Sequence, residues 1–95
     1  MAETRARCRV APEHPALPGH FPGRPLVPAV LLLELVQRQA APGAAIARVL
    51  AAKFLRPVAP GTDMDLVWSR EGARLKFRIE TAGALAAQGE LELAA

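Results

Sequence analysis

Two side chains in the first third of this 95-residue sequence are suited to moving protons: His20, within GHFPG, and Glu34, within VLLLELVQ fourteen residues later. An imidazole titrates near neutrality, with an ordinary pKa of about 6.5, and a carboxyl group in apolar surroundings can keep its proton. Such a pair can divide the roles of base and acid in one reaction. Each residue also has a plainer reading. His20 can be a surface hydrogen-bonding group, and Glu34 can be a helix carboxylate that reaches solvent or pairs with Arg24 or Arg38. Glu34 nevertheless interrupts the longest apolar run, Val27 to Val36. An unpaired carboxylate there costs several kcal/mol to desolvate unless it is paired, protonated or placed at a cleft.

Metal chemistry has little to build on. His14 lies six residues before His20 without a third ligand nearby, and the single cysteine, Cys8, permits neither zinc-type spacing nor an intramolecular disulfide. A reducing, cytoplasmic setting fits that cysteine use. The apolar run is too short to span a bilayer, and the N-terminus carries no apolar leader segment, so no membrane role is expected. Twelve basic residues against nine acidic ones give a net charge of +3, spread along the chain without a dense tract. That pattern argues against nucleic acid and for an acidic protein partner. A chain of this length makes one domain, residues 1–95, and it gains stability by associating.

The elements that must position His20 and Glu34 follow from periodicity. Thr4 to Val10 alternates, with Ala6, Cys8 and Val10 on one face and Arg5, Arg7 and Arg9 on the other, which predicts a half-buried strand. Six prolines from Pro12 through Pro28 make the stretch after Ala11 a long stiff loop, a kind of connection that is more often functional than filler. Pro28 suits the first turn of a helix that Ala41, Pro42 and Gly43 end. Its first two turns have almost no polar face, so the helix is expected to be surrounded by a sheet. Four more strands are predicted over Ile46 to Arg56, Thr62 to Arg70, Arg74 to Thr81 and Leu85 to Leu93. The second and third of these alternate, Met64, Leu66 and Trp68 then Leu75, Phe77 and Ile79 being apolar, and short Gly-containing links predict antiparallel hairpins. The result is an α+β domain with one helix held by an antiparallel sheet.

The string GHFPGRPLVPAVLLLELVQ, Gly19 to Gln37, resembles the signature of the 3-hydroxyacyl-acyl carrier protein dehydratases, GHFPGxPxMPGVLxxEAxAQ, with the same His-to-Glu spacing. Lys53 to Leu66 and Ala86 to Leu93 resemble that family's following strand and turn and its last strand. Typical members carry a further helix and strand ahead of the first strand here, so the sequence reads as a minimal version. The resemblance implies the hotdog fold, a sheet wrapped around one central helix, with two subunits joining their sheets. It also implies dehydration of a (3R)-3-hydroxyacyl thioester on acyl carrier protein to the trans-2-enoyl thioester, in fatty acid or polyketide and polyene-type synthesis. His20 of one subunit would be the base and Glu34 of the other the acid, with no metal or organic cofactor.

The backbone amides of Ala29 and Val30, at the helix start, would receive the charge that gathers on the thioester oxygen. Phe21, Pro22, Gly23, Val27, Pro28 and Gln37 would line or support the site, with Gln37 read as the pattern's glutamine. Ala29 stands where the pattern has glycine, and its methyl group narrows the approach of a substrate to the backbone. Trp68 reads as core or interface. Arg24, Arg38, Lys53 and Arg56 are candidates for steering the acidic carrier protein. The partner chain would be a second copy or another hotdog subunit. Two rival roles belong to the same fold: a non-catalytic hotdog subunit or acyl-binding partner of an active dehydratase, and a thioesterase, which the GHFPG loop disfavours.

Overall fold

A computed structural model describes residues 3–11 and 26–94. In order, the elements are β1 (Thr4–Cys8), α1 (Ala29–Ala40), β2 (Ile46–Phe54), β3 (Met64–Glu71), β4 (Arg74–Thr81) and β5 (Ala84–Leu93). The strands form one antiparallel sheet in the order β1-β3-β4-β5-β2, so β1 and β2 are its edges. The predicted elements all form, with ends that move by one or two residues. The first strand stops at Cys8 and the second at Phe54, while Pro28 takes the N-cap position in an extended conformation (φ −61°, ψ 148°) and α1 begins at Ala29.

The sheet's inner face follows the period-2 pattern. Met64 and Leu66 of β3, Leu75, Phe77 and Ile79 of β4, and Ala87, Leu91 and Leu93 of β5 are buried together with Leu31, Leu32 and Val36 of α1. Trp68 packs partly buried against this cluster. Each fully buried aliphatic side chain contributes about 1.5–3 kcal/mol relative to exposure, which makes this shared core the main source of stability. Ala82 (φ 50°) and Gly83 (φ 79°) both take positive φ between Thr81 and Ala84, the geometry that matches the twist of a two-residue hairpin.

The outer face is an ion-paired ladder. Arg78 meets Glu3 at 2.6 Å and Glu80 at 2.9 Å, Arg74 meets Glu90 at 2.8 Å, and Arg48 meets Glu92 at 3.0 Å. Hydrogen bonds from Arg78 hold the Glu3 and Glu80 carboxyls below their ordinary range, and Arg48 does the same for Glu92. Exposed pairs of this kind each add little stability, but they fix which face of the sheet is wet.

The expectation that α1 is enclosed on all sides does not hold within one chain. Leu31, Leu32 and Val36 face the core, whereas Val30 is 61% exposed and Glu34 is exposed. The sheet of a single chain covers one side of the helix and leaves the other open. Edge strand β2 is likewise uncovered, with Val49, Leu50 and Phe54 exposed and Leu55 exposed just beyond it. Among the described residues, no helix is long and apolar enough to cross a membrane.

Candidate active site

The start of α1 presents free backbone donors. Leu31 N and Leu32 N both donate to Pro28 O, at 3.0 and 3.3 Å, while the amides of Ala29 and Val30 have no backbone acceptor among the described residues. Proline suits this place because its fixed φ lets the chain enter the helix from an extended conformation. A cleft of about 190 Å³ reaches Ala29, the first residue of α1, and is lined by it together with Val27, Leu32, Phe54, Leu55, Arg56, Pro57 and Val58. The hydrogen bond from Val27 N to Val58 O, 2.7 Å, ties the approach to the helix to the β2–β3 connection and so shapes that cleft. Its lining side chains are apolar except for Arg56, and Ala29, at the positive pole of the helix, is part of it. The arrangement suits an apolar group with a polarised oxygen.

Glu34 lies further along α1 on the open side. It borders a groove of about 490 Å³ shared with Gln37, Gly43, Ala44, Ala45 and Ile46, and a smaller cleft of about 110 Å³ shared with Arg9, Val10, Ala11, Leu31, Leu35 and Arg38. Glu3, Asp63, Asp65, Glu80, Glu90 and Glu92 all have arginine partners. Glu34 and Glu71 have none among the described residues, so the pairing of Glu34 with Arg38 weighed from sequence is not formed; Glu71 lies at the end of β3, and Glu34 on α1. A carboxylate without an ion-pair partner among the described residues, on the exposed side of a helix whose first turns are otherwise apolar, is open to an incoming group.

His20, Phe21, Pro22, Gly23 and Arg24 lie outside the described residues. Of the other expected site residues, Val27 is buried, Pro28 caps α1, and Ala29 and Val30 stand at its exposed start. Gln37 is engaged elsewhere: its side-chain amide donates to Ala41 O and Ala44 O at the far end of the helix. By count, the glutamine of the family pattern falls four residues after its glutamate, at Arg38 here, and Gln37 precedes it. The steering candidates separate. Arg56 borders the cleft at the helix start, Arg38 borders the small cleft at Glu34, and Lys53 lines a groove of about 470 Å³ that also holds Lys76, Arg78 and Gln88 of the sheet's outer face. Burial pushes the Cys8 thiol above its ordinary range, with the Asp65 charge adding to it, so this cysteine is a poor nucleophile.

Sequence reasoning missed the exposed apolar row on β2. Its signal was present in IARVLAAKFL, which lacks the clean alternation of a half-buried strand and carries Val49, Leu50, Phe54 and Leu55 together.

The family model for ApeI-like dehydratases, described as ApeI dehydratase, matches residues 1–90. The chain belongs to the ApeI-like dehydratase family. The 3-hydroxyacyl-acyl-carrier-protein dehydratase FabZ of Thermus thermophilus is 42% identical over 77 residues, covering 67% of this chain and 51% of the relative. The FabZ of Proteus mirabilis is 32% identical over 105 residues, covering 92% of this chain and 70% of the relative. The chain thus spans about half the length of the Thermus protein. Among solved structures, the dehydratase heterocomplex ApeI:P of Xenorhabdus doucetiae superposes with a TM-score of 0.82 at 28% identity, over 98% of this chain and 88% of that one. This ApeI-like chain therefore has the hotdog fold that the sequence resemblance implied, and the five-stranded antiparallel sheet with its single helix is that fold's architecture.

Proposed function

We propose that this ApeI-like chain is a cytoplasmic dehydratase subunit acting on a (3R)-3-hydroxyacyl thioester carried by acyl carrier protein, in fatty acid or polyketide and polyene-type synthesis. The observation that carries the reading is Glu34, a carboxylate without an ion-pair partner among the described residues, on the open side of the helix whose start offers the free amides of Ala29 and Val30. In the reaction, His20 takes the C2 proton of the substrate. The electron pair of that C–H bond forms the C2=C3 double bond, the C3–O bond breaks, and Glu34 gives its proton to the departing hydroxyl, so that water and the trans-2-enoyl thioester leave. The Ala29 and Val30 amides hold the charge that builds on the thioester oxygen. Phe21, Pro22, Gly23, Val27 and Pro28 shape the slot.

The uncovered side of α1 and the uncovered strand β2 lie where a second hotdog subunit would seat. Val30, Val49, Leu50, Phe54 and Leu55 are the apolar side chains it would cover, and pairing along β2 would remove an open sheet edge. That subunit is a second copy or, as the heterocomplex of the Xenorhabdus relative suggests, a different hotdog chain.

The deciding experiment incubates the purified protein with a 3-hydroxyacyl pantetheine thioester and with the same acyl group on carrier protein, and follows the loss of one water by mass spectrometry. Formation of the enoyl product supports the reading. No product from this chain, alone or with a second hotdog subunit bound, favours the role of a non-catalytic acyl-binding partner, for which the Ala29 methyl group in place of glycine speaks.

A further inference from the structure

Gln37 lies one turn after Glu34 on α1, and its side-chain amide nitrogen donates to two backbone carbonyls beyond the helix, Ala41 O at 3.3 Å and Ala44 O. The last carbonyls of a helix have no intrahelical donors, and a glycine-based C-cap commonly supplies them. Here the C-cap is Ala41, with φ −146° and ψ 61°, outside the left-handed region, and a side chain closes the turn from within the helix. Ala41 N donates to Gln37 O at 2.9 Å and Ala44 N to Ala41 O at 3.1 Å, so Gln37 meets the turn through both its backbone and its side chain.

The segment beyond the turn gives this clamp its importance. Ala94 N donates to Ala45 O at 2.8 Å, and β2 starts at Ile46, opposite Leu93. Among the described residues β2 pairs with β5 alone, and its side chains past Ile46 are exposed. The groove at Glu34 has Glu34 and Gln37 on one wall and the clamped segment, Gly43 to Ile46, on the other. Its width is therefore the separation between α1 and that segment, which the Gln37 hydrogen bonds fix.

We propose that Gln37 is a positioning residue that clamps the Ala41 and Ala44 carbonyls to α1, thereby setting the groove Glu34 faces and the start of the edge strand β2. The effect on turnover rests on the dehydratase reading of Glu34, whereas the clamp itself can be read without it. The chemistry asks for a donor. Leucine at this position keeps the helix and its packing but offers no hydrogen bond. Glutamate has the same shape but sets a carboxylate against two carbonyl oxygens. Lysine keeps donors with comparable reach.

The test compares Gln37→Leu, Gln37→Glu and Gln37→Lys in the assembled oligomer by two measurements. Hydrogen exchange of the backbone amides of Ala44 and of Ile46 to Val49 should speed up about tenfold or more in the Leu and Glu variants and return toward wild type in the Lys variant. With the pantetheine thioester, kcat should fall about tenfold or more in the Leu variant with KM within about twofold, and the Lys variant should recover most of the loss. Exchange in Gln37→Leu within about twofold of wild type, or a Lys variant no better than Leu, overturns the proposal. Should the wild-type protein form no enoyl product, the dehydratase reading fails by itself, and the exchange rates still decide the clamp.

Discussion

Glu34 resolves the oddity of an acid inside the longest apolar run of the sequence, because the helix that carries it is covered on one side only. Leu31, Leu32 and Val36 turn inward, and Glu34 stands on the opposite, exposed side. Desolvation therefore does not threaten it in the single chain, and an exposed carboxylate without an ion-pair partner among the described residues contributes little to stability. Replacing it should separate catalysis from folding. Glu34→Gln preserves shape and removes the transferable proton, so turnover should fall about a hundredfold or more. Unfolding free energy should change by about 0.5 kcal/mol or less, as for other surface positions. Steady-state kinetics and thermal unfolding on the same preparations check both statements, and a variant that loses stability but keeps its rate would make Glu34 a structural acid. His20 and Glu34 stand out in the sequence as candidates because they combine suitable chemistry with a dense motif. The binding partners of Gln37 could not, since its amide reaches carbonyls of a turn whose conformation no local pattern specifies.

At the level of elements, alternation and turn chemistry predicted most of what forms. The β3 and β4 faces read directly from Met64, Leu66 and Trp68 and from Leu75, Phe77 and Ile79, and the Ala82–Gly83 link gave the hairpin that leads into β5. The exposure of β2 left only an indirect mark, the missing alternation of IARVLAAKFL, because sequence position does not say which strand will lie at the edge of a sheet. Gly89 marks another requirement that only packing reveals. It pairs with Phe77 of β4 on one side and Ala52 of β2 on the other, and a Cβ there would lie 2.9 Å from Phe77 Cε1 and collide with Ala51 O. A backbone oxygen on one side and a core ring on the other leave no soft neighbour to yield. At an unconstrained position, Gly→Ala stabilises by about 0.4–1 kcal/mol. Gly89→Ala should instead destabilise by about 1–3 kcal/mol, lowering Tm by roughly 4 °C or more. Thermal unfolding monitored by circular dichroism gives the sign, and a stabilised variant would mean that β2 can move away from β5 at little cost.

For the whole molecule, the two faces of the sheet have different fates. The outer face is largely closed chemically, with Asp65, Glu80, Glu90 and Glu92 matched to Arg5, Arg7, Arg48, Arg74 and Arg78. The inner face is closed only where α1 covers it, and Val30, Val49, Leu50 and Phe54 remain in water at the side that ends in β2. Chain length and hydrophobic content lead to the expectation that the chain associates, without saying through which surface. The exposed rim could not be placed from sequence, because it depends on the strand order β1-β3-β4-β5-β2, which puts a strand from the middle of the sequence at the sheet edge. If two copies close that rim and each site takes His20 from one chain and Glu34 from the other, inactive variants must complement one another. His20→Ala and Glu34→Gln homodimers would each lack one member of every site. In an exchanged equimolar mixture about half the dimers are mixed, and each mixed dimer regains one complete site of its two, so activity should return to about a quarter of wild type. Subunit exchange is established separately with differently tagged copies, and the enoyl product is then measured. An exchanged mixture as inactive as its parents would rule out a site shared between two copies of this chain, and restoring activity to Glu34→Gln with a different hotdog subunit would then identify that subunit as the one whose carboxylate serves His20.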